Sequence, residues 1–267
     1  MKKLLIQSVL SISLFFSIWF LFKQINWVSI FKTQEISNKT EEKLGEIFWE
    51  AFQVNEKENH DPFIINTVDS IVTKICLANK IERGEIKFHI LHKDEVNAFA
   101  LPNGHLVIYS GLIINSDNQE QLSGVLCHEI AHIKLKHVMK KLLKELGFSV
   151  IISMTTGNYG TEAIKSIIEK LSSSAFDRSL EKEADIIAVN YLINANINPE
   201  GLSTFLYGLS DKENDISKYL SWINTHPDSK ERAKYITEYS RGRKVINHEI
   251  VKKETWIEIK SKLKQLD

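Results

Sequence analysis

The 267-residue chain predicts an α+β fold that is predominantly helical, with a small antiparallel sheet and an N-terminal transmembrane helix. Three observations carry this. Only 4 prolines and 11 glycines interrupt the chain, so long loops are few. Apolar residues recur at three-and-four spacing over most of the sequence, as in helices with one buried face. One short region alternates apolar with polar residues ahead of an Asn-Gly dipeptide, the strongest local signal for a β-hairpin.

Leu4 to Phe22 is uncharged and rich in Leu, Ile and Phe behind Lys2 and Lys3, and nineteen such residues span a bilayer core. A cleaved signal peptide is the alternative. However, Trp19 to Ile30 offers no small-x-small cleavage site and no cysteine follows for lipidation. An uncleaved anchor over residues 1–23 is therefore expected, with 24–35 as a tether and the folded part outside the cytoplasm, on the periplasmic side in a Gram-negative cell.

Helical runs follow at Thr40–Gln53 and Pro62–Asn79. Ile86, Phe88 and Ile90 then alternate with Lys87 and His89 as a half-buried strand, and Asn103-Gly104 separates two β-prone runs. A long amphipathic helix is predicted from Asp117 to about Gly147, with Asp117 and Glu120 as a capping box and Gly147 as the stop. Phe148–Thr156 is too short to cross a membrane and is expected to plug the core or touch a bilayer surface. Thr161–Ser173, Arg178–Ala195, Pro199–Leu209 and Asp228–Tyr239 read as helices. From Ile246 onward, Ile250, Trp256, Ile259 and Leu263 recur at near-helical intervals, as a tail that packs back or docks a partner. The expected boundaries are 36–245 for the folded domain and 246–267 for the tail.

Thirty-four basic and 34 acidic residues cancel, so nothing recommends nucleic acid as a partner. Cys76 and Cys127 are the only cysteines and build no disulfide framework. Cys127 reads as a small buried hydrophobe, because a helix turns its side chain about 100° away from its neighbour's.

The functional signal is His128-Glu129-Ile130-Ala131-His132. Residues four apart share a helix face, so His128 and His132 can direct two imidazoles at one Zn²⁺. Glu129 then flanks the metal as a base for a water molecule. A metzincin site would need Gly at 135 and His at 138, where the chain has Leu135 and Val138, so the third ligand comes from elsewhere. Glu181 and Asp185, again four apart, offer two carboxylates on one face. One can bind metal while the other holds a ligand histidine or handles a proton.

His128-Glu-x-x-His132 followed by Glu181-x-Glu183-Ala-Asp185 resembles the gluzincin metallopeptidases that include the CAAX prenyl protease, HtpX, the Oma-type protease and the BepA-like proteins. The segment Val96 to Leu112 and Thr225-His226-Pro227 with Arg232 extend the likeness, closest to the BepA-like and Oma-like branch. The resemblance implies a zincin-like metallopeptidase domain with one Zn²⁺ held by His128, His132 and Glu181. Glu129 would be the general base and Asp185 the acidic group behind the ligands or a proton donor. His226 would face the metal, stabilising the oxyanion or occupying the open coordination position in a resting form. Its alternative is a plain loop-to-helix junction. Asp177 stands where the family usually has Ser, and His137 is read as structural. The implied function is a membrane-associated zinc endopeptidase of protein quality control, acting on protein or peptide substrates that pair with an exposed strand edge. A chaperone or assembly factor using the same fold is the alternative. A purely structural zinc protein is disfavoured, since a scaffold has no chemical need for Glu129.

Overall fold

The computed structural model describes residues 33–266 apart from 55, 158, 212–215, 244 and 246–248, and ahead of these only residues 7, 12–14 and 16–17. The anchor expected at Leu4–Phe22 and most of the tether thus fall almost wholly outside the described residues. Among the described residues, no helix is long and apolar enough to cross a membrane. The chain divides into residues 1–40 and 41–267, and the second unit carries everything that follows.

Helix α1 (Thr33–Gln53) reaches into that unit from Glu41, and α2 (Pro62–Ala78) follows it. Asp61 caps α2 by accepting from the Phe63 amide at 2.8 Å, with Pro62 in the first helical position. Three strands come next, β1 (Lys87–Leu91), β2 (Ala98–Ala100) and β3 (His105–Tyr109), in the sheet order β1-β3-β2. The hairpin falls where Asn103-Gly104 predicts it. Ala98 pairs antiparallel with Ile108, and Asn103 and Gly104 take left-handed φ values of 60° and 74°. The sheet itself is mixed rather than antiparallel, because β1 runs parallel to β3 with Lys87 opposite His105. Alternation in β1 identifies its two faces but not its neighbour or direction. All five residues of β3 are buried. Leu106 and Ile108 enter one core cluster, Val107 and Tyr109 the other, as expected of a central strand covered on both faces.

A short helix α3 (Ser110–Asn115) leads to α4 (Gln119–Lys134). Its cap is Asn118, whose side chain accepts from the Gln121 amide at 2.9 Å, one residue later than the capping box read from Asp117. The single long helix predicted to Gly147 is in fact two. The chain breaks at Lys136, with φ 56°, and resumes as α5 (His137–Leu146), which ends at Gly147 as expected. The cause is packing: Leu122, Val125, Leu126 and Ile130 bury in the first cluster, whereas Val138, Met139 and Leu142 bury in the second. One straight helix cannot serve both.

Helices α6 (Phe148–Thr155) and α7 (Thr161–Ser173) fill the second cluster through Ile151, Met154, Ile164 and Ile168. Then come α8 (Arg178–Asn194), α9 (Glu200–Asp211), α10 (Ile216–Thr225), α11 (Ser229–Ser240) and α12 (Lys253–Leu266). Helices α3 and α10 were not predicted, and α10 is a ten-residue run with Ile, Tyr, Trp and Thr, weak helix formers. Helix α12 packs on α2 and α3 with Trp256, Ile259 and Leu263 in the first cluster. Helix α4 is buried along most of its length between α8, α9 and β2. Its close approach to α9 depends on glycine: a Cβ on Gly124 would meet the Leu202 backbone at 2.8 Å, and one on Gly201 the Glu120 carbonyl oxygen at 2.3 Å.

Candidate metal centre

Helix α4 presents His128 and His132 one turn apart, and α8 packs across it with Glu181 and Asp185 facing them. The link between α10 and α11 inserts His226. One ligand atom each from His128, His132, Glu181 and His226 lies within 4.8 Å of the others, and all four residues are buried. The Nε2 atoms of His128 and His132 are 3.0 Å apart, and His132 Nε2 is 3.3 Å from Glu181 Oε1. His226 Nδ1 is 3.3 Å from His128 Nε2 and 3.1 Å from Glu181 Oε1.

Proton accounting shows what these atoms are for. His128 Nδ1 lies 2.9 Å from Asp185 Oδ1, which accepts its proton and turns Nε2 toward the cluster. His132 Nδ1 has a partner at 3.0 Å in His137, and its Nε2 likewise faces inward. Two imidazole nitrogens face each other beside a carboxylate, an arrangement that a shared cation satisfies. Zinc bonds of about 2.0–2.1 Å in a tetrahedron require donor separations of roughly 3.3 Å, and the observed spacings cluster there. The donor set fits zinc.

Asp185 is fixed by Arg232, which donates from Nε and Nη2 at 2.8 Å each, and by the Tyr235 hydroxyl. Arg232 Nη1 also reaches Glu181 Oε2 at 2.6 Å. Burial alone would favour the neutral acids, but Arg232 and His128 outweigh it and hold the Asp185 carboxyl well below its ordinary range. His226 and Arg232 do the same for Glu181. Burial likewise opposes the imidazolium of His128, yet Asp185 and Glu181 raise its pKa to about 9. Glu129 differs. Neither carboxylate oxygen has a hydrogen bond of normal geometry, His226 Nε2 stands 3.4 Å away, and burial pushes its pKa up to about 8.

Aromatic rings line the cluster. Phe176 lies 4.2 Å from His132 and Trp222 4.3 Å from His226, centroid to centroid. The Phe176 amide donates to the Thr225 carbonyl at 3.3 Å, tying the α7–α8 link to the C-terminal end of α10.

All six residues singled out in the sequence, His128, Glu129, His132, Glu181, Asp185 and His226, therefore meet at one point. His226 is not a surface junction, and Arg232 beside it is buried too. Cys127 is buried in the first cluster, as read, and Cys76 is also free and buried. Sequence reasoning passed over Phe176, Trp222 and Tyr235, which have no motif of their own, and assigned His137 only to structure.

A helix-borne pair of histidines, an intervening glutamate and a carboxylate from a second helix define a zincin-like metallopeptidase domain. Residues 66–240 match Peptidase family M48, and the chain belongs to that family. Among its relatives, the beta-barrel assembly-enhancing protease of Yersinia pestis is 23% identical over 205 residues, covering 72% of this chain and 42% of that one. Metalloprotease LoiP of Escherichia coli is 31% identical over 168 residues, 60% of this chain and 65% of the relative. Mitochondrial metalloendopeptidase OMA1 of Schizosaccharomyces pombe is 25% identical over 174 residues, 64% and 52%. This chain spans less than half the length of the assembly-enhancing protease.

Proposed function

We propose that this chain is a zinc-dependent endopeptidase of protein substrates, with His128, His132 and Glu181 holding one zinc ion and Glu129 as general base. One observation carries the reading: four buried donor atoms converge beside a buried carboxylate, Glu129, whose oxygens make no hydrogen bond of normal geometry. A zinc ion held there polarises a carbonyl and lowers the pKa of a water molecule to about 7.

The protein's own groups supply the rest. Glu129, buried beside the donor atoms with neither oxygen in a hydrogen bond of normal geometry, is placed to take a proton from the attacking water and return it to the departing amine. Asp185, kept ionised by Arg232, holds His128 with Nε2 turned inward, which makes it a positioning group rather than a proton donor. A catalytic zinc keeps one position open, whereas His226 Nδ1 completes the donor set in this conformation. We read this as a closed resting form in which His226 must move aside for substrate. Strand β2, at the sheet edge beside α4, is the strand that would pair with an extended substrate backbone.

Anchoring by residues 1–23, a tether at 24–35, a peptidase domain over 36–245 with a tail at 246–267, an extracytoplasmic location and a role in protein quality control complete the proposal. The uncharged run Leu4–Phe22 and relatives named for enhancing β-barrel assembly support it.

The test uses the full chain purified in detergent with unfolded casein. The expected result is cleavage that a chelator abolishes, that stoichiometric zinc restores, and that Glu129→Gln lacks while keeping its zinc and its circular dichroism. Cleavage that persists in Glu129→Gln overturns the assignment. If that variant still rescues aggregation-prone clients, the chaperone reading takes precedence.

A further inference from the structure

We propose that His137 and Glu183 form a hydrogen-bonded relay that orients the zinc ligand His132, making His137 a positioning residue of the metal centre. The inference rests on the zinc reading above and extends it to two residues outside the donor set.

The geometry starts from the break between α4 and α5. In one continuous helix His137 would stand five residues, or about 140° around the axis, from His132 and would point elsewhere. The left-handed turn at Lys136 folds it back. Its side chain is fully buried, its Nδ1 lies 3.0 Å from His132 Nδ1, and the two rings meet at 75°. On its far side, His137 Nε2 is 3.3 Å from Glu183 Oε2.

The protons fall into one consistent order. With zinc on His132 Nε2, Nδ1 carries the proton and donates it to His137 Nδ1. That nitrogen must then be the acceptor, so the proton of His137 is on Nε2 and is donated to Glu183. Both imidazoles are neutral and each ring proton has one partner. His128 receives the same service directly from Asp185. One stretch of α8 therefore supplies Glu181 as ligand, Asp185 as the holder of one histidine and Glu183 as the distant holder of the other. The outer end differs from Asp185 in being half-exposed: the Glu183 side chain has 49% of its surface open, against none for Asp185. Water screens its charge, so the link through Glu183 contributes less than the link through His137.

Groups that orient metal-bound histidines typically change metal affinity by about 10- to 100-fold when removed. Zinc affinity of the full chain, measured by chelator competition, is the readout. His137→Phe fills the site without an acceptor and is expected to weaken zinc binding on that scale. His137→Asn, whose Oδ1 takes the place of Nδ1, is expected to recover most of it. Glu183→Ala, at a half-exposed position with little bearing on folding, is expected to cost a few-fold. Long-range ¹H–¹⁵N spectra of the zinc-loaded protein should show His137 protonated on Nε2 only. Wild-type chain that binds no zinc would sink the underlying reading. Wild-type chain that binds one zinc, with His137→Phe within twofold of it or with His137 protonated on Nδ1, would overturn the relay alone.

Discussion

Arg232 grips Asp185 through two parallel hydrogen bonds of 2.8 Å each, from Nε and Nη2 to the two carboxylate oxygens. Because Asp185 in turn holds His128, a residue 104 positions away in sequence governs how that proposed zinc ligand points. Removing one partner of a buried ion pair costs roughly 3–5 kcal/mol. Arg232→Ala should therefore lower the unfolding temperature and zinc content together. Arg232→Lys, which cannot reproduce the planar fork, should lie between. Unfolding curves and metal analysis check both, and full zinc occupancy in Arg232→Ala would contradict the arrangement.

His226 sits in the donor set, so His226→Ala should leave the three remaining ligands and near-stoichiometric zinc while raising basal peptide cleavage several-fold. Steady-state rates on a short fluorogenic peptide measure this. A fall of about 10², the scale for loss of one oxyanion donor, would assign the imidazole to the transition state instead.

Gly201 leaves no room for a side chain against the Glu120 carbonyl. Gly201→Ala should push α9 from α4 and cost about 1–3 kcal/mol, as overpacked sites do. Denaturant unfolding would register the loss, and zinc stoichiometry should be unchanged because the ligands sit at the other end of α4.

Acid should destabilise the fold through a site remote from the metal. His89 and His105 lie on β1 and β3 with Trp49 stacked on His89 at 3.5 Å, and they are linked Nε2 to Nδ1 at 3.0 Å. Glu58 faces His89, while Glu46 and Lys87 surround His105. Burial holds both imidazoles neutral and lowers His105 to about 4. An unfolded histidine titrates near 6.5, so between about 6.5 and 4 the unfolded chain binds more protons than the folded one, and stability falls as pH drops through that window. His105→Gln should flatten the dependence of unfolding free energy on pH over this range relative to wild type. Superimposable profiles would rule the site out.

Much of this was legible because it is local. His128 and His132 share a helix face by spacing alone, Glu181 and Asp185 do likewise, and Asn103-Gly104 fixes its own turn through left-handed backbone. What the sequence hid is long-range. The direction of β1 depends on β3 lying between two partners, and the split at Lys136 depends on two clusters that draw α4 and α5 apart. His137 looked structural because a straight helix turns it away from His132. Arg232 belongs to a His-Pro…Arg segment in the sequence, but nothing local reveals that its guanidinium is buried against α8.

The buried carboxylates of the centre impose an electrical condition on the whole protein. Glu181 and Asp185 are held ionised in the interior against Arg232, with Glu129 and His128 buried beside them. A chain without metal holds protons on these groups in its stead, since the pKa of His128 is raised to about 9 and that of Glu129 to about 8, and loading must release them. Zinc and protons would then compete for one set of atoms, so that acidity unloads the centre by mass action and the fold is the more stable the more zinc is present.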